Sequence, residues 1–190
     1  MNIQLKNTLN NNLKDLFDNL KNLVNYEKDM LTLCKCLAKT INNNNKILFC
    51  GNGGSAAESQ HFAAEFVSKF MHIRRPLPAL ALKTDTSILS SIDNDFNFKY
   101  VFSKQVQALG KKGDILICLS TSGKSQNILE AIKAAKKRNI KTFLITSEKF
   151  KKKIKYINVI RLPSKRTDRN QEIQLFFFHN IIEILEKNFL

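Results

Sequence analysis

A glycine-rich turn followed by a histidine and a glutamate forms the first candidate site in this sequence. The short apolar run Ile47–Cys50 breaks at Gly51–Gly54, and a helical pattern begins at Ser55. Glycine lets a backbone approach a ligand closely, and the N–H groups at the start of a helix attract anions. His61 and Glu65 are four residues apart and share one face of that helix. The pattern favours a site for a phosphorylated or polyhydroxylated ligand, although a plain tight turn with His61 in the core would also produce it.

A hydroxyl-rich loop later in the chain is the second candidate site. The near-continuous apolar run Asp114–Leu119 is typical of a central parallel strand, and a helix is predicted over Gln126–Arg138. Between them lies the segment Ser120–Ser125, with four hydroxyl side chains and one glycine. Hydroxyls at the start of a helix make a phosphate cradle, whereas the simpler alternative is an ordinary turn capped by Ser125. Because this loop comes after the glycine-rich turn, we favour the phosphate site.

Helical and strand patterns alternate along the rest of the chain. Residues 2–42 have apolar positions at helical spacing and predict two helices with a break near Val24–Glu27. The Ser55 helix is expected to begin with a capping box between Ser55 and Glu58 and to continue to about Met71. The remaining predictions are a strand at 77–82, N-cap residues at 84–87 before a helix at 87–92, a polar loop at 93–95, a helix at 98–109, strands at 140–146 and 156–162, and a last helix capped by Thr167 or Asp168 and ending near Lys187.

This order of elements indicates the fold class. Strands that alternate with helices predict an α/β protein with an open, mostly parallel sheet and helices on both faces. Residues 1–42 would be an N-terminal helical extension, and residues 46–190 would be the α/β core of a single domain, 1–190. Ligands of such sheets bind at the carboxyl ends of the strands, where both candidate loops fall.

Composition narrows the classes of function. The 190 residues are 43% hydrophobic, as in ordinary globular proteins, and they contain neither a signal-peptide pattern nor an apolar run of membrane-spanning length. The net charge of +15 invites a nucleic-acid partner, but the lysines of 133–141 and 149–155 do not form a recognisable recognition helix. We therefore expect no nucleic acid and no membrane, and a solvated surface or the steering of an anionic substrate explains the charge better. Four cysteines without zinc-type spacing indicate reduced thiols in the cytoplasm.

Four segments and one histidine together resemble the phosphoheptose isomerases, a subgroup of the sugar isomerase (SIS) domains. The segments are GNGGSAAESQHFAAEF (51–66), TDTSILSSIDNDF (84–96), STSGKSQNILEA (120–131) and TDRNQE (167–172), and the histidine is His179. The resemblance implies an SIS-type, flavodoxin-like three-layer fold. It also implies interconversion of sedoheptulose 7-phosphate and D-glycero-D-manno-heptose 7-phosphate by a homotetramer, as the first step of heptose synthesis for lipopolysaccharide or capsule.

The resemblance also implies roles for individual residues. The phosphate would be held by Ser120, Thr121, Ser122 and Ser125. The sugar site would include Asn52, Gly53, Gly54, Ser55, Glu65, Asn94, Asp95 and Gln171. One zinc ion would be bound by His61, Glu65, Gln171 and His179, with Glu65 and His179 also acting as the acid–base pair. A carboxylate, an imidazole and a metal electrophile are suitable parts for moving a carbonyl through an enediol.

Two departures from the family pattern leave other functions open. Ser147–Phe150 and the lysines after it replace a segment that is usually glycine-rich, and Gln174 stands where relatives often carry a histidine. One alternative is a non-catalytic SIS adaptor that binds the replication initiator DnaA, although the resemblance associates Glu65 and His179 with the enzymes. The other alternative is a sugar-phosphate sensor without turnover.

Overall fold

Five parallel strands form one sheet at the centre of the protein, in the order β2-β1-β3-β4-β5. The computed structural model describes residues 1–82 and 85–190. The strands are β1 (Ile47–Gly51), β2 (Ala79–Ala81), β3 (Ile115–Leu119), β4 (Lys141–Ser147) and β5 (Asn158–Leu162). The helices are α1 (Asn2–Asn22), α2 (Glu27–Asn42), α3 (Gly54–Val67), α4 (Thr86–Asp95), α5 (Val101–Leu109), α6 (Gln126–Lys137) and α7 (Thr167–Lys187), with 3-10 turns at Leu23–Tyr26 and Phe98–Tyr100.

Helices cover both faces of the sheet because its central strands are apolar on both sides. In β1, Ile47 and Phe49 pack into one core with α2, α3 and α7, whereas Leu48 and Cys50 pack into a second core with α5 and α6. Every residue of β1 and β3 is buried, as expected of central parallel strands. The predicted parallel α/β fold with three layers is confirmed.

The order of the strands places the two candidate loops side by side. From β1 the chain adds β2 on one side and later adds β3 on the other side, so that Cys50 of β1 lies opposite Cys118 of β3. Such a reversal opens a crevice at the carboxyl ends of the strands, where ligands bind in sheets of this type. The loops that follow β1 and β3 both open into this crevice.

Of the two helices in the N-terminal extension, α2 packs into the core and α1 is largely exposed. The predicted break between its two helices is the 3-10 turn Leu23–Tyr26, and α2 buries one face in the first core. By contrast, α1 has no buried residue, and its apolar side chains are more than half exposed at Leu5, Leu9, Leu13 and Phe17. None of the described helices is both long and apolar enough to cross a membrane.

Helix α3 ends at Val67, so the predicted continuation to Met71 is wrong. The backbone N–H groups of residues 70–72 donate to the carboxylate of Glu186 at 3.0, 2.8 and 2.9 Å, and the Arg74 guanidinium lies 3.4 Å from the same carboxylate. These bonds to α7 replace the hydrogen bonds that a longer α3 would have made.

The predicted capping box at the start of α3 is also wrong. The N-cap is Gly53, whose φ of 55° suits glycine, and no side chain caps the helix. Ser55 lies within the first turn, and Glu58 is buried with no hydrogen bond to either carboxylate oxygen. The glycine turn starts the helix before Ser55 can act as its cap.

The polar residues Asp93–Asp95 form the last turn of α4 and not the predicted loop. Asp85 caps this helix by accepting from the N–H groups of Ser87 and Ile88 at 2.9 and 3.2 Å, which confirms that the N-cap lies in the predicted segment. The predicted N-cap residue Thr84 lies outside the described residues. The helical bonds simply continue to the end of the polar run.

Helix α7 begins without the predicted side-chain cap. Its N-cap residue is Arg166, and no side chain accepts a capping bond there. The Asp168 carboxylate lies 2.6 Å from the Arg166 guanidinium, so the prediction that Thr167 or Asp168 caps the helix is wrong because this ion pair engages the carboxylate.

Candidate active site

Two glycines shape the first candidate loop for different reasons. Gly53 has a φ of 55°, in the left-handed region, where it precedes the first turn of α3. Gly54 lies against the side-chain amide of Gln171, and a Cβ at Gly54 would clash with that amide. The backbone conformation of the loop therefore favours glycine at position 53, and glycine at position 54 lets the loop lie against Gln171 without displacing that side chain.

The second candidate loop is tied to the first by a pair of amides. The side chains of Asn52 and Asn127 exchange hydrogen bonds of 2.9 and 2.8 Å, which fix the turn after β1 to the first turn of α6. Within the second loop the Gly123 N–H donates to the Ser120 carbonyl at 3.0 Å, and the hydroxyls of Ser120 and Ser125 lie 3.5 Å apart. Both loops are thus positioned by contacts within the protein.

The two loops line one cavity of about 320 Å³, which we call the phosphate cavity. It brings together nine predicted site residues: Asn52, Gly53, Gly54, Ser55, Ser120, Thr121, Ser122, Ser125 and Gln171. Leu119 and Thr167 also line it. Thr167 was not among the predicted site residues, although a hydroxyl at the predicted start of the last helix could have indicated it.

Two helices start at this cavity and run side by side in the same direction. Gly54 near the start of α3 contacts Gln171 of α7, His61 contacts His179 further along, and the segment after α3 contacts Glu186. The N-termini of α3 and α7 therefore both lie at the phosphate cavity, and α6 begins just after the hydroxyl loop. Helix N-termini carry partial positive charge, so this arrangement is suited to an anion.

Three predicted side chains meet roughly two helical turns beyond the cavity, at what we call the histidine cluster. The Nε2 atoms of His61 and His179 are 3.0 Å apart, and Oε1 of Glu65 lies 3.8 Å from Nε2 of His61. The stacked rings of Phe62 and Phe178, with centroids 4.4 Å apart, join α3 to α7 beside the cluster. The side chain of His61 is 43% exposed, which rules out a core histidine.

The cluster can hold and pass a proton at neutral pH. Burial lowers the pKa of His179, the His61 ring lowers it further, and Glu65 opposes both effects. His179 is therefore mainly neutral at pH 7. Two ring nitrogens at 3.0 Å can form a hydrogen bond only when one carries the proton and the other accepts it, so this contact requires complementary tautomers of the two rings.

The cluster offers zinc ligands of the right chemical type. Zinc binds imidazole nitrogens and carboxylate oxygens, which His61, His179 and Glu65 supply. Within residues 1–82 and 85–190, no group of three or more His, Cys, Asp or Glu side chains is already arranged to hold a metal ion. Gln171 lies against Gly54, at the other end of the helix pair. The side chains of His61, His179 and Glu65 are of the types that zinc binds, whereas Gln171 lies apart from them, so its part in the predicted zinc site stays a prediction.

The structure does not bring Asn94 and Asp95 to the phosphate cavity. Both lie exposed at the end of α4, where the Asn94 amide donates to the Asp95 carboxylate at 2.9 Å. Their predicted role in the sugar site stays a prediction.

Glu58 is a buried carboxyl near the site that the sequence analysis assigned only to capping. It lies one turn after the glycine loop with neither oxygen hydrogen-bonded. Burial raises its pKa to about 7, although the nearby Ser55 side chain opposes this shift. The sequence position of Glu58 did not indicate its burial or its raised pKa, because both depend on tertiary packing.

Comparisons with known proteins identify the family of this chain. Residues 11–147 match the SIS domain family. The chain is 40% identical over 186 residues to a phosphoheptose isomerase from Campylobacter concisus, covering 97% of this chain and 98% of the relative. It is 44% identical over 155 residues to a phosphoheptose isomerase from Thermodesulfovibrio yellowstonii, covering 81% and 77% of the two chains.

Solved structures give the same result. The phosphoheptose isomerase GmhA from Neisseria gonorrhoeae superposes with a TM-score of 0.86 at 35% identity, covering 95% of this chain and 99% of that chain. A phosphoheptose isomerase from Francisella tularensis superposes with a TM-score of 0.90 at 28% identity, covering 95% and 97%. The chain therefore belongs to the SIS domain family and, within it, to the phosphoheptose isomerases.

Proposed function

We propose that this isomerase interconverts sedoheptulose 7-phosphate and D-glycero-D-manno-heptose 7-phosphate in the cytoplasm, as the first step of heptose synthesis for lipopolysaccharide or capsule. The observation that carries the proposal is the spacing of the two sites on one helix. The phosphate cavity lies at Gly54 and the histidine cluster at His61, seven residues or about 10 Å further along α3. A ligand that joins them needs an anionic end and a carbon chain long enough to reach the cluster.

The phosphate is held by the hydroxyl loop. Ser120, Thr121, Ser122 and Ser125 donate hydroxyl protons to it, and the N-termini of the surrounding helices favour its charge. The loop is already fixed by contacts within the protein. Little conformational entropy is therefore lost when the ligand binds.

The proton transfers are assigned to the histidine cluster. Glu65 removes a proton from C1 of the ketose and returns it to C2, while His179 transfers the proton between the oxygens on C2 and C1. The reaction balances because the proton lost at C1 is regained at C2, and the proton gained by one oxygen is lost by the other. The intermediate is the enediol, and a positioned general base typically contributes about 10²–10⁴-fold to such a step.

A zinc ion would be held by His61, Glu65, Gln171 and His179. When bound, it supplies an electrophile for the carbonyl oxygen and the developing oxyanion. Mass spectrometry of the purified protein tests this without an activity assay. We expect about one zinc per chain in the wild type and none in a His61→Ala/His179→Ala variant; equal zinc content in the two would contradict the assignment.

Assembly as a homotetramer is proposed to cover α1. The exposed leucines of this helix form an apolar stripe that the rest of the described chain does not cover. Contiguous exposed apolar surface of this kind typically marks an interface between proteins. A second copy of the chain, placed along α1, would bury it.

Incubation with sedoheptulose 7-phosphate, with zinc supplied, tests the function directly. We expect the aldose product to appear in proton NMR spectra, and fructose 6-phosphate, one carbon shorter, to be converted more slowly. Binding without conversion of any heptulose phosphate would favour a sugar-phosphate sensor. Neither binding nor conversion would favour the adaptor that binds DnaA.

A further inference from the structure

A second cavity, of about 260 Å³, lies beside the phosphate cavity. The two cavities share Thr121, Ser122 and Thr167, so they open on either side of the same hydroxyl loop. The loops after β3, β4 and β5 enclose the second cavity. We call it the cationic cavity because four positively charged side chains line it: Lys124, Lys149, Lys165 and Arg166.

The positive charge of this cavity is only partly neutralised. Arg166 pairs with Asp168 at 2.6 Å, and Lys165 lies 4.0 Å from Glu148. Lys124 and Lys149 make no ion pair with the residues of 1–82 and 85–190, and no acidic side chain is part of the described lining. Several like charges around one concave surface attract an anion, which would relieve their mutual repulsion.

The cavity is held in shape by bonds between its loops. The Thr121 carbonyl accepts from the Thr146 hydroxyl at 3.3 Å and from the Ser147 N–H at 3.2 Å, which joins the loop after β3 to the end of β4. The Ser147 hydroxyl in turn accepts from the backbone N–H of Lys149 at 3.1 Å. The position of Lys149 beside the hydroxyl loop is therefore fixed through its own backbone.

An aromatic ring anchors the lysine-rich segment to the same place. Phe150 is buried and lies directly against Gly123, which has a φ of 63° and no side chain to obstruct the ring. Arg161 of β5 donates to the carbonyls of Phe150 and Lys152 at 2.7 and 2.9 Å. The segment after β4 is thus packed onto the hydroxyl loop, and its charge is placed next to the phosphate cavity.

We propose that the cationic cavity binds a second phosphoryl group, so that the protein accepts ligands whose diphosphate spans both cavities. One phosphoryl group occupies the hydroxyl loop, and the ammonium groups of Lys149 and Lys165 donate to the other. The inference rests on the proposed function in one respect, since it takes the hydroxyl loop as the first phosphate site. Diphosphate ligands would then compete with the sugar phosphate and inhibit the isomerase.

Calorimetry with inorganic pyrophosphate and orthophosphate at fixed ionic strength tests this inference. The cavity variant is Lys149→Ala/Lys165→Ala, and the control is Lys152→Ala/Lys153→Ala, which removes the same charge outside the cavity. All four lysines are exposed, so both variants are expected to fold. In the wild type and the control, pyrophosphate should bind about tenfold more tightly than orthophosphate. In the cavity variant the two ligands should bind equally, with orthophosphate affinity unchanged.

Two results would overturn the inference: equal affinity for the two ligands in the wild type, or an equal loss of the pyrophosphate preference in both variants. The proposed function is judged by a different change in the same experiment. A Ser120→Ala/Thr121→Ala variant should lose orthophosphate affinity. If it does not, the first phosphate site is wrong, while the two lysine variants still decide whether the cationic cavity binds an anion.

Discussion

The phosphate cavity and the histidine cluster stand on the same two helices, but they are built in different ways. The cavity consists of glycine backbone, short hydroxyl side chains and helix N-termini, and the Asn52–Asn127 pair fixes its two loops. The cluster consists of three longer, partly exposed side chains, and its carboxylate is 3.8 Å from the nearer imidazole nitrogen. Contacts within the chain fix the loops of the first region, whereas the described side chains of the second are not arranged to hold a metal ion.

Under the proposed function, this difference separates binding from chemistry along one helix pair. Many small contributions would hold the anion, so a single change in the cavity should remove only part of the binding affinity. The cluster depends on a few side chains, so a single change there should remove most of the rate and leave the affinity largely intact.

The largest effect is expected at His179, where His179→Ala removes the side chain assigned to proton transfer between the oxygens. The turnover rate should fall by about 10²–10⁴-fold, while the dissociation constant for the sugar phosphate stays within about threefold of the wild type. Steady-state kinetics and calorimetry measure the two quantities. His72→Ala, at an exposed histidine outside the cluster, should match the wild type. A loss of affinity as large as the loss of rate would contradict the separation of binding from chemistry.

A smaller effect, on affinity, is expected in the phosphate cavity. Replacing Ser120 and Thr121 together by Ala removes two hydroxyl donors to a charged group, which should weaken binding by roughly tenfold to a few hundredfold. Ser90→Ala/Ser91→Ala is the matched control, because within residues 1–82 and 85–190 those exposed hydroxyls bond only to carbonyls of their own helix. Calorimetry with the phosphorylated sugar measures the change, and an unchanged affinity in the cavity variant would show that the phosphate binds elsewhere.

Substitutions in the exposed apolar stripe of α1 test whether the histidine cluster needs a second chain for activity. Leu9→Ser/Leu13→Ser should dissociate the proposed tetramer, because polar side chains would then lie in the interface. Turnover should fall with assembly, whereas orthophosphate should still bind, since both loops that line the phosphate cavity belong to one chain. Sedimentation velocity at micromolar concentration measures the assembly, with Ile73→Ser/Leu109→Ser as the control at exposed residues of other segments. A monomeric wild type would contradict the proposal.

The smallest effect concerns Glu58, which lies between the two regions on α3. Burial raises its pKa from the ordinary value of 4.5, expected in the unfolded chain, to about 7, so the folded chain binds more protons between these values. The free energy of unfolding should therefore lose roughly 1–2 kcal/mol as the pH rises from 4.5 to 7, an amount reduced by partial solvent screening. Glu58→Gln should remove this decline. Urea unfolding at several pH values measures it, and parallel curves for the two proteins would refute the assignment.

The sequence predicts best those features that depend on local pattern. Apolar runs and glycine turns located β1, β3 and their loops, and the four-residue spacing placed His61 and Glu65 on one face of α3. The end of α3 could not be predicted, because the carboxylate that receives the N–H groups of residues 70–72 belongs to Glu186. The capping box failed for a similar reason, since Glu58 is buried by packing that sequence spacing does not reveal. The high lysine content could be read from the sequence. That lysines from different loops line the cationic cavity could be seen only from the fold.

The central claim is that Glu65 transfers the proton between C1 and C2 of a sugar whose phosphate is held in the phosphate cavity. The most direct test compares the initial rates of aldose formation from sedoheptulose 7-phosphate for the wild type, Glu65→Gln and Glu183→Gln, a partly exposed glutamate of α7 paired with Lys187. The account predicts that Glu65→Gln binds the substrate normally and is at least about 10²-fold slower, while Glu183→Gln matches the wild type. A Glu65→Gln variant that forms the aldose at the wild-type rate would contradict it.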